Sequence, residues 1–129
     1  MTKWVYSETV RDHFFAPRNL FSENEKFDFN AVGSAGSMKC GDEIKFYLKI
    51  ENNEILDCRW ETFGCASAIA SSSILSEMIK KIPIKKALKI TPREIAKKLG
   101  GLPENKIHCS VLGHLALRDT VKNFQKNEK

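Results

Sequence analysis

The sequence predicts an α+β fold: a small three-stranded antiparallel sheet with helices packed on it and a metal or cluster site at one end. Two neighbouring runs in the first half alternate apolar and polar residues, as half-buried strands do. From Ala66 onward the apolar spacing becomes helical. Three of the four cysteines stand where such elements begin or end, so the site is expected at the rim of the sheet. With 129 residues the chain is long enough for one hydrophobic core and short for two, and we read residues 1–129 as a single domain.

Each element has a local reason. Ser7 caps a short helix that carries Val10 and Phe14 at i, i+4, and Pro17 ends it. The polar, glycine-rich stretch FSENEKFDFNAVGSAGS, residues 21–37, reads as a mobile segment. In EIKFYLKI, Ile44, Phe46, Leu48 and Ile50 alternate with Lys45, Tyr47 and Lys49. After an Asn52-Asn53 turn, EILDCRWET places Leu56, Cys58, Trp60 and Thr62 on one face, which makes a hairpin. Leu75, Met78, Ile79 and Ile82 then follow a helical spacing that Pro83 stops, and a short helical piece is expected around Ala87 and Leu88. Thr91-Pro92-Arg93-Glu94 is a capping box with proline at the first helical position, and Gly100-Gly101 ends that helix. The last helix is expected from near Cys109 to about Gln125, with Gly113, Leu117, Val121 and Phe124 along one stripe.

Composition excludes several classes. Hydrophobic residues make up 42% and charged residues 29%, and no apolar run reaches the roughly 20 residues of a membrane span. The N-terminal stretch lacks the apolar core of a secretory signal, so a cytosolic address and reduced thiols are expected. The net charge is +5, and it is concentrated: Lys80, Lys81, Lys85, Lys86, Lys89, Arg93, Lys97 and Lys98 face one acid, Glu94. We read this stretch as a solvated helical face, with an acidic docking partner as the alternative.

Cys40 lies in KCGDE, where Gly41 permits a tight bend and Asp42 follows two positions on, so that thiol and carboxylate point to one side of an extended backbone. Cys65 lies in FGCASAIASSS at a strand-to-helix junction, where open backbone N–H groups favour thiolate. Cys109 takes an equivalent place at the start of the last helix, beside His108. Thiolates of this kind suit soft metals and iron-sulfur clusters, and Asp42 and His108 complete the constellation. A C-x-x-C pair is absent, so the spacing leaves metal, cluster and inert cysteines all open.

KCGD, FGCASAIASSS and KIHCSVLG, in this order and separation, resemble the iron-sulfur cluster assembly scaffold family, the IscU type and the homologous N-terminal domain of NifU. The likeness covers nearly the whole chain from YSETVRDHFFAPRN, and GLPENKIHCSVLG and WVYSETV look nearer to the NifU type. The resemblance implies that Cys40, Cys65 and Cys109 hold a transient 2Fe–2S cluster built from iron and from sulfur passed on by a cysteine desulfurase. Asp42 and His108 then share the pocket, the cluster passes to apo iron-sulfur acceptor proteins, and the chain acts as a scaffold, not an enzyme. Zinc suits the same ligands when the cluster is absent. Cys109 is expected to accept sulfur first, Asp42 or His108 to supply an exchangeable position, and a second subunit to be able to complete a half-open site as a homodimer. Lys106 is expected to pair with Asp42 when the site is empty, or to shift the thiolate equilibrium of Cys109. The family's proline-rich chaperone segment corresponds to Leu102, Pro103, Glu104, Asn105 and Lys106, where the second proline is missing, which speaks against an Hsp70-type chaperone as partner.

The competing reading is a structural zinc domain closed by Cys40, Cys65, Cys109 and Asp42 or His108, with the basic stretch binding nucleic acid. Trp60, Phe46 and Tyr47 lie in the hairpin, away from the lysines, which makes nucleic acid a poor fit. A thiol oxidoreductase would want a C-x-x-C pair. Cys58 is read as a core filler, His13 and His114 as packing or surface residues, and the serines after Ala66 as small residues for close helix packing.

Overall fold

The computed structural model describes residues 7–37, 41–103 and 106–127. In chain order these form α1 (Glu8–Phe15), β1 (Ala31–Ser37), β2 (Asp42–Glu51), β3 (Glu54–Phe63), α2 (Ala66–Ile79), β4 (Ile82–Pro83), α3 (Ile84–Leu88), α4 (Pro92–Lys98) and α5 (His108–Asn127). The fold is α+β. Its sheet has four strands in the order β1-β2-β3-β4, every pairing antiparallel, which corrects the expected three.

The hairpin forms where the alternation placed it. Asn52 and Asn53 take φ of 52° and 61°, the left-handed pair that a two-residue turn between twisted strands requires. The face assignment of β3 changes at one point. Lys49 stands opposite Asp57 and Ile50 opposite Ile55, so Leu56 is an extra residue, a bulge. Ile55 is consequently fully buried and Leu56 is 36% exposed, the reverse of the simple alternation, while Cys58 and Trp60 keep the inner face.

The two strands that the sequence pattern did not locate, β1 and β4, have different causes. The expected mobile segment contains β1, paired with β2 from Ala31↔Leu48 to Ser37↔Asp42. Its alanines, glycines and serines are poor strand formers, but α5 crosses directly over them. A Cβ on Gly33 would lie 2.5 Å from the Thr120 backbone nitrogen. The Ser34 N–H donates to the Asp119 carboxylate at 2.9 Å, and the Asn123 amide donates to the Val32 carbonyl at 2.9 Å. Small residues thus let strand and helix approach, and tertiary bonding overrides propensity. β4 holds only two residues, too few for periodicity to show. Ile82 leaves the helical pattern because Lys81 turns at φ 63° and its N–H donates to the Ile55 carbonyl.

One core joins these elements. Ile44, Phe46, Leu48 and Ile50 meet Ile55, Trp60, Leu75, Ile79, Leu117 and Val121, all at 2% exposure or less. Burying each large side chain contributes about 1.5–3 kcal/mol. Trp60 also donates its indole N–H to the Arg18 carbonyl. Cys58 fills the same core, its thiol donating to the Ser76 carbonyl at 3.2 Å, and burial pushes its pKa up to about 12. The capping box is present: the Thr91 hydroxyl accepts from the Glu94 N–H, and the Glu94 carboxylate accepts from the Thr91 N–H, each at 3.2 Å. At Gly100 and Gly101, φ of 80° and 98° turns the chain out of α4.

α1 packs on α2 through Val10 and His13. Ser7 caps α1 by accepting from the Val10 N–H at 3.1 Å, and it also donates to the Leu99 carbonyl, tying α1 to the end of α4. His13 is 4% exposed, with Nδ1 2.7 Å from the Ser73 hydroxyl and Nε2 3.6 Å from Glu77. Burial, with the nearby Arg18 cation, holds its pKa below the ordinary histidine value despite Glu77 and Asp12. The fold therefore prefers the neutral ring. This stabilisation is fully present above the unfolded value, about 6.5, and is lost as pH falls through the lower folded value. We expect the melting temperature to fall more steeply between about pH 7 and pH 5 in the wild type than in His13→Gln; parallel profiles would show that this ring is not the titrating group.

Candidate metal and cluster site

The antiparallel hairpin puts the first residue of β2 beside the end of β3, with Glu43 opposite Phe63. Asp42 and the Gly64-Cys65 junction thus reach one end of the sheet. α2 starts there and packs against α5, whose first turn carries His108 and Cys109 to the same end. Four of the five expected site residues converge: Asp42, Cys65, His108 and Cys109. Cys40 lies outside the described residues, two positions before Asp42 in sequence.

The Asp42 carboxylate accepts from the Cys65 backbone N–H at 3.1 Å and stands 3.5 Å from His108 Nε2. His108 Nε2 is 3.6 Å from Cys109 Sγ, and the two sulfurs, Cys65 Sγ and Cys109 Sγ, are 3.7 Å apart. Ligand atoms of Asp42, His108 and Cys109 all lie within 4.8 Å of one another, a spread that a single metal ion can span. The His108 side chain is 58% exposed, so the site opens to solvent on its side. The sequence pairs Lys106 with Asp42 in the empty site; among the described residues, the basic side chain within 4 Å of the Asp42 carboxylate is the His108 ring instead.

The two thiols differ in environment. Burial works against charge on Cys65, but hydrogen bonds from the Ser67 hydroxyl, the Ala68 N–H and the Cys109 thiol outweigh it, and its pKa lies below the ordinary thiol value. Cys109 is fully buried, and burial, only partly offset by Ser67, pushes its thiol up to about 12. The helix start and the place of each thiol bear on how these cysteines are read. The start of a helix does not make Cys109 a thiolate, because desolvation exceeds the gain from the helix end. In this arrangement Cys109 is buried and Cys65 is half-buried.

Sequence reasoning missed two contributors. A Cβ on Gly64 would lie 2.1 Å from Asp42 Oδ1, so the glycine is what leaves the carboxylate its place. Ser67 is fully buried, its hydroxyl 3.1 Å from each of the two sulfurs. A hydroxyl two residues after a site cysteine was the available signal, hidden among serines that do serve packing. His13, by contrast, is buried in the α1–α2 contact, away from this constellation, and His114 is half-buried within α5.

The chain is similar to known proteins along nearly its whole length. The family model for the NifU-like N terminal domain matches residues 5–129. The nitrogen fixation protein NifU of Azotobacter chroococcum is 46% identical over 127 residues, covering 97% of this chain and 40% of that protein, so the chain spans about two fifths of the NifU relatives it matches. The iron-sulfur cluster assembly scaffold protein IscU 1 of Archaeoglobus fulgidus is 46% identical over 126 residues, covering 97% of this chain and 80% of the relative. The IscU scaffold protein of Aquifex aeolicus is 48% identical over 121 residues, covering 92% and 75%. The crystal structure of an N-terminal NifU-like protein from Brucella abortus superposes with a TM-score of 0.69 at 17% identity over 93% of this chain and 94% of that one, a likeness of fold. The motif order, the α+β fold and these matches agree: the chain belongs to the NifU-like N-terminal domain family.

Proposed function

We propose that this chain is a scaffold on which a labile 2Fe–2S cluster is assembled and from which it is handed to apo-proteins. The observation that carries the reading is the convergence of Cys65, Cys109, Asp42 and His108 at one open end of the sheet. Relatives at 46% and 48% identity bear the name of iron-sulfur cluster assembly scaffold. Cys40, two residues from Asp42, is proposed as the third thiolate. Three thiolates with one oxygen or nitrogen ligand leave an exchangeable position, which suits a cargo that must depart. Iron and sulfide are substrates here, and zinc is a fitting occupant of the same donors when they are absent.

A cysteine desulfurase as sulfur donor, apo iron-sulfur proteins as acceptors and a cytosolic setting with reduced thiols belong to the same proposal, as does the reading of residues 1–129 as one domain. A homodimer remains compatible with the open His108 side. Glu104 and Asn105 of the altered chaperone segment lie outside the described residues, while Leu102 packs against the core. The structural zinc alternative has no such support, since the relatives bear the name of iron-sulfur cluster assembly scaffold. Lys85 and Lys86 on α3, Lys89 just after it, and Arg93, Lys97 and Lys98 on α4 are exposed, as a solvated face would be.

The test is anaerobic reconstitution with ferrous iron, cysteine and a desulfurase, then timed transfer to an apo-ferredoxin. A 2Fe–2S absorption spectrum that decays as the ferredoxin gains its cluster is the expected result; a colourless protein holding one zinc and ignoring the desulfurase would overturn the proposal. Persulfide labelling in the same mixture assigns the acceptor. Loss of label in Cys109→Ser keeps the role with Cys109; normal labelling of that variant, with loss in Cys40→Ser or Cys65→Ser, gives it to Cys40 or to the half-buried Cys65.

A further inference from the structure

We propose that Ser67 is a positioning residue of this site: its buried hydroxyl brackets the Cys65 and Cys109 sulfurs, sets their spacing and makes the two unequal toward a bound metal. The inference rests on the reading that these two cysteines hold the metal. Ser67 is fully buried in the first turn of α2, where water cannot satisfy it. Among the described residues its hydroxyl has two polar neighbours, Cys65 Sγ and Cys109 Sγ, each at 3.1 Å. A buried hydroxyl with no oxygen or nitrogen partner is uncommon, because sulfur is a weak acceptor unless it carries charge. The arrangement therefore suits sulfurs that become charged, as metal-bound thiolates do.

The geometry gives the hydroxyl two tasks. It spans sulfurs that belong to different helices, α2's cap and α5's first turn, and so holds them 3.7 Å apart across a helix-helix contact. It also has one proton and two lone pairs. In the empty site it can donate to one sulfur while accepting an S–H from the other. Once both sulfurs are metal-bound thiolates, only one of them can receive its proton. That sulfur becomes the weaker electron donor to the metal, and the other remains bare. Ser71, one turn further along α2, does not share the role, since its hydroxyl meets Ser110 at 3.5 Å and touches no sulfur within the described contacts.

The test loads the full chain with cobalt(II) as probe metal, and separately with iron and sulfide, in wild type, Ser67→Ala and Ser67→Thr. Sulfur-to-metal charge-transfer bands report the donor strength of the sulfurs. In Ser67→Ala they are expected at longer wavelength, with several-fold faster metal loss to a chelator; Ser67→Thr, which keeps the hydroxyl, should return both toward wild type. A merely structural serine would change the melting temperature without moving the bands. If Ser67→Ala binds cobalt with wild-type bands and wild-type loss rate, the role is overturned. Should Ser67→Ala not fold, NMR of the cadmium-loaded wild type decides: a slowly exchanging Ser67 hydroxyl proton coupled to the metal through sulfur supports the bond, and a hydroxyl without that coupling refutes it. Wild-type protein that binds no cobalt would overturn the metal-site reading itself, an outcome distinct from a Ser67 variant that behaves like wild type.

Discussion

Gly64→Ala is expected to slow release of the cluster about ten- to a hundredfold, the size of effect that outer contacts of metal ligands commonly have. A Cβ at this position would stand 2.1 Å from Asp42 Oδ1, so the carboxylate must leave. With it goes the bond from the Cys65 N–H, now 3.1 Å, and the contact with His108 at 3.5 Å. Asp42→Ala should give the same phenotype by the direct route, because a site without the oxygen ligand loses its exchangeable position and holds the cluster longer. The measurement is timed transfer from reconstituted protein to apo-ferredoxin for both single variants and the double variant. If both act through Asp42, the double variant is no slower than Asp42→Ala alone; additive slowing would assign Gly64 a separate role. An unchanged transfer rate in Asp42→Ala would remove the carboxylate from the release step altogether.

Gly33→Val should be the most damaging single change to the fold. The added Cβ would meet the Thr120 nitrogen at 2.5 Å, the Thr120 Cα at 2.6 Å and the Asp119 carbonyl carbon at 2.8 Å. All three are backbone atoms, so no side chain can swing aside, and α5 has to lift from β1. Overpacking of this kind costs about 3 kcal/mol. At this chain length that corresponds to a melting temperature lower by roughly 10 °C. The bonds from Ser34 to Asp119 and from Asn123 to Val32 would break with the displacement. Gly113→Ala is the control, because its Cβ would meet Leu75 at an ordinary 3.5 Å inside a helix, where alanine is favoured over glycine by about 0.5–1 kcal/mol. Thermal unfolding followed by circular dichroism should show Gly33→Val well below wild type and Gly113→Ala at or above it. Equal melting of Gly33→Val and wild type would contradict the close approach of α5 to β1.

The same approach explains why β1 was illegible in sequence. Ala-Val-Gly-Ser-Ala-Gly-Ser has the composition of a loop, and only the helix lying across it supplies the reason for small residues in a strand. The hairpin, by contrast, could be read directly, since alternation along β2 and an Asn-Asn turn are local properties. Two of its positions departed from the alternation: Leu56 gave way to Ile55 at the core through a bulge that no spacing reveals, and Tyr47 on the outer face is buried against Phe21 and Phe29. The capping box on α4 and the glycines after it were legible for the same reason as the turn: every partner lies within a few residues.

The sequence by itself determined the class of fold, the family and the identity of the chemical groups, because periodicity, caps and motif order are written along the chain. Which groups meet, and in what state, was decided by the tertiary structure. Burial reversed the expectation for Cys109, raising its thiol to about 12 while Cys65 was lowered, although both stand at helix starts. Folding brought Ser67 between two sulfurs 44 positions apart in sequence, and left Gly64 without a side chain where Asp42 needed room. Desolvation and steric contact depend on what other segments cover a residue, and that covering exists only once the chain has folded.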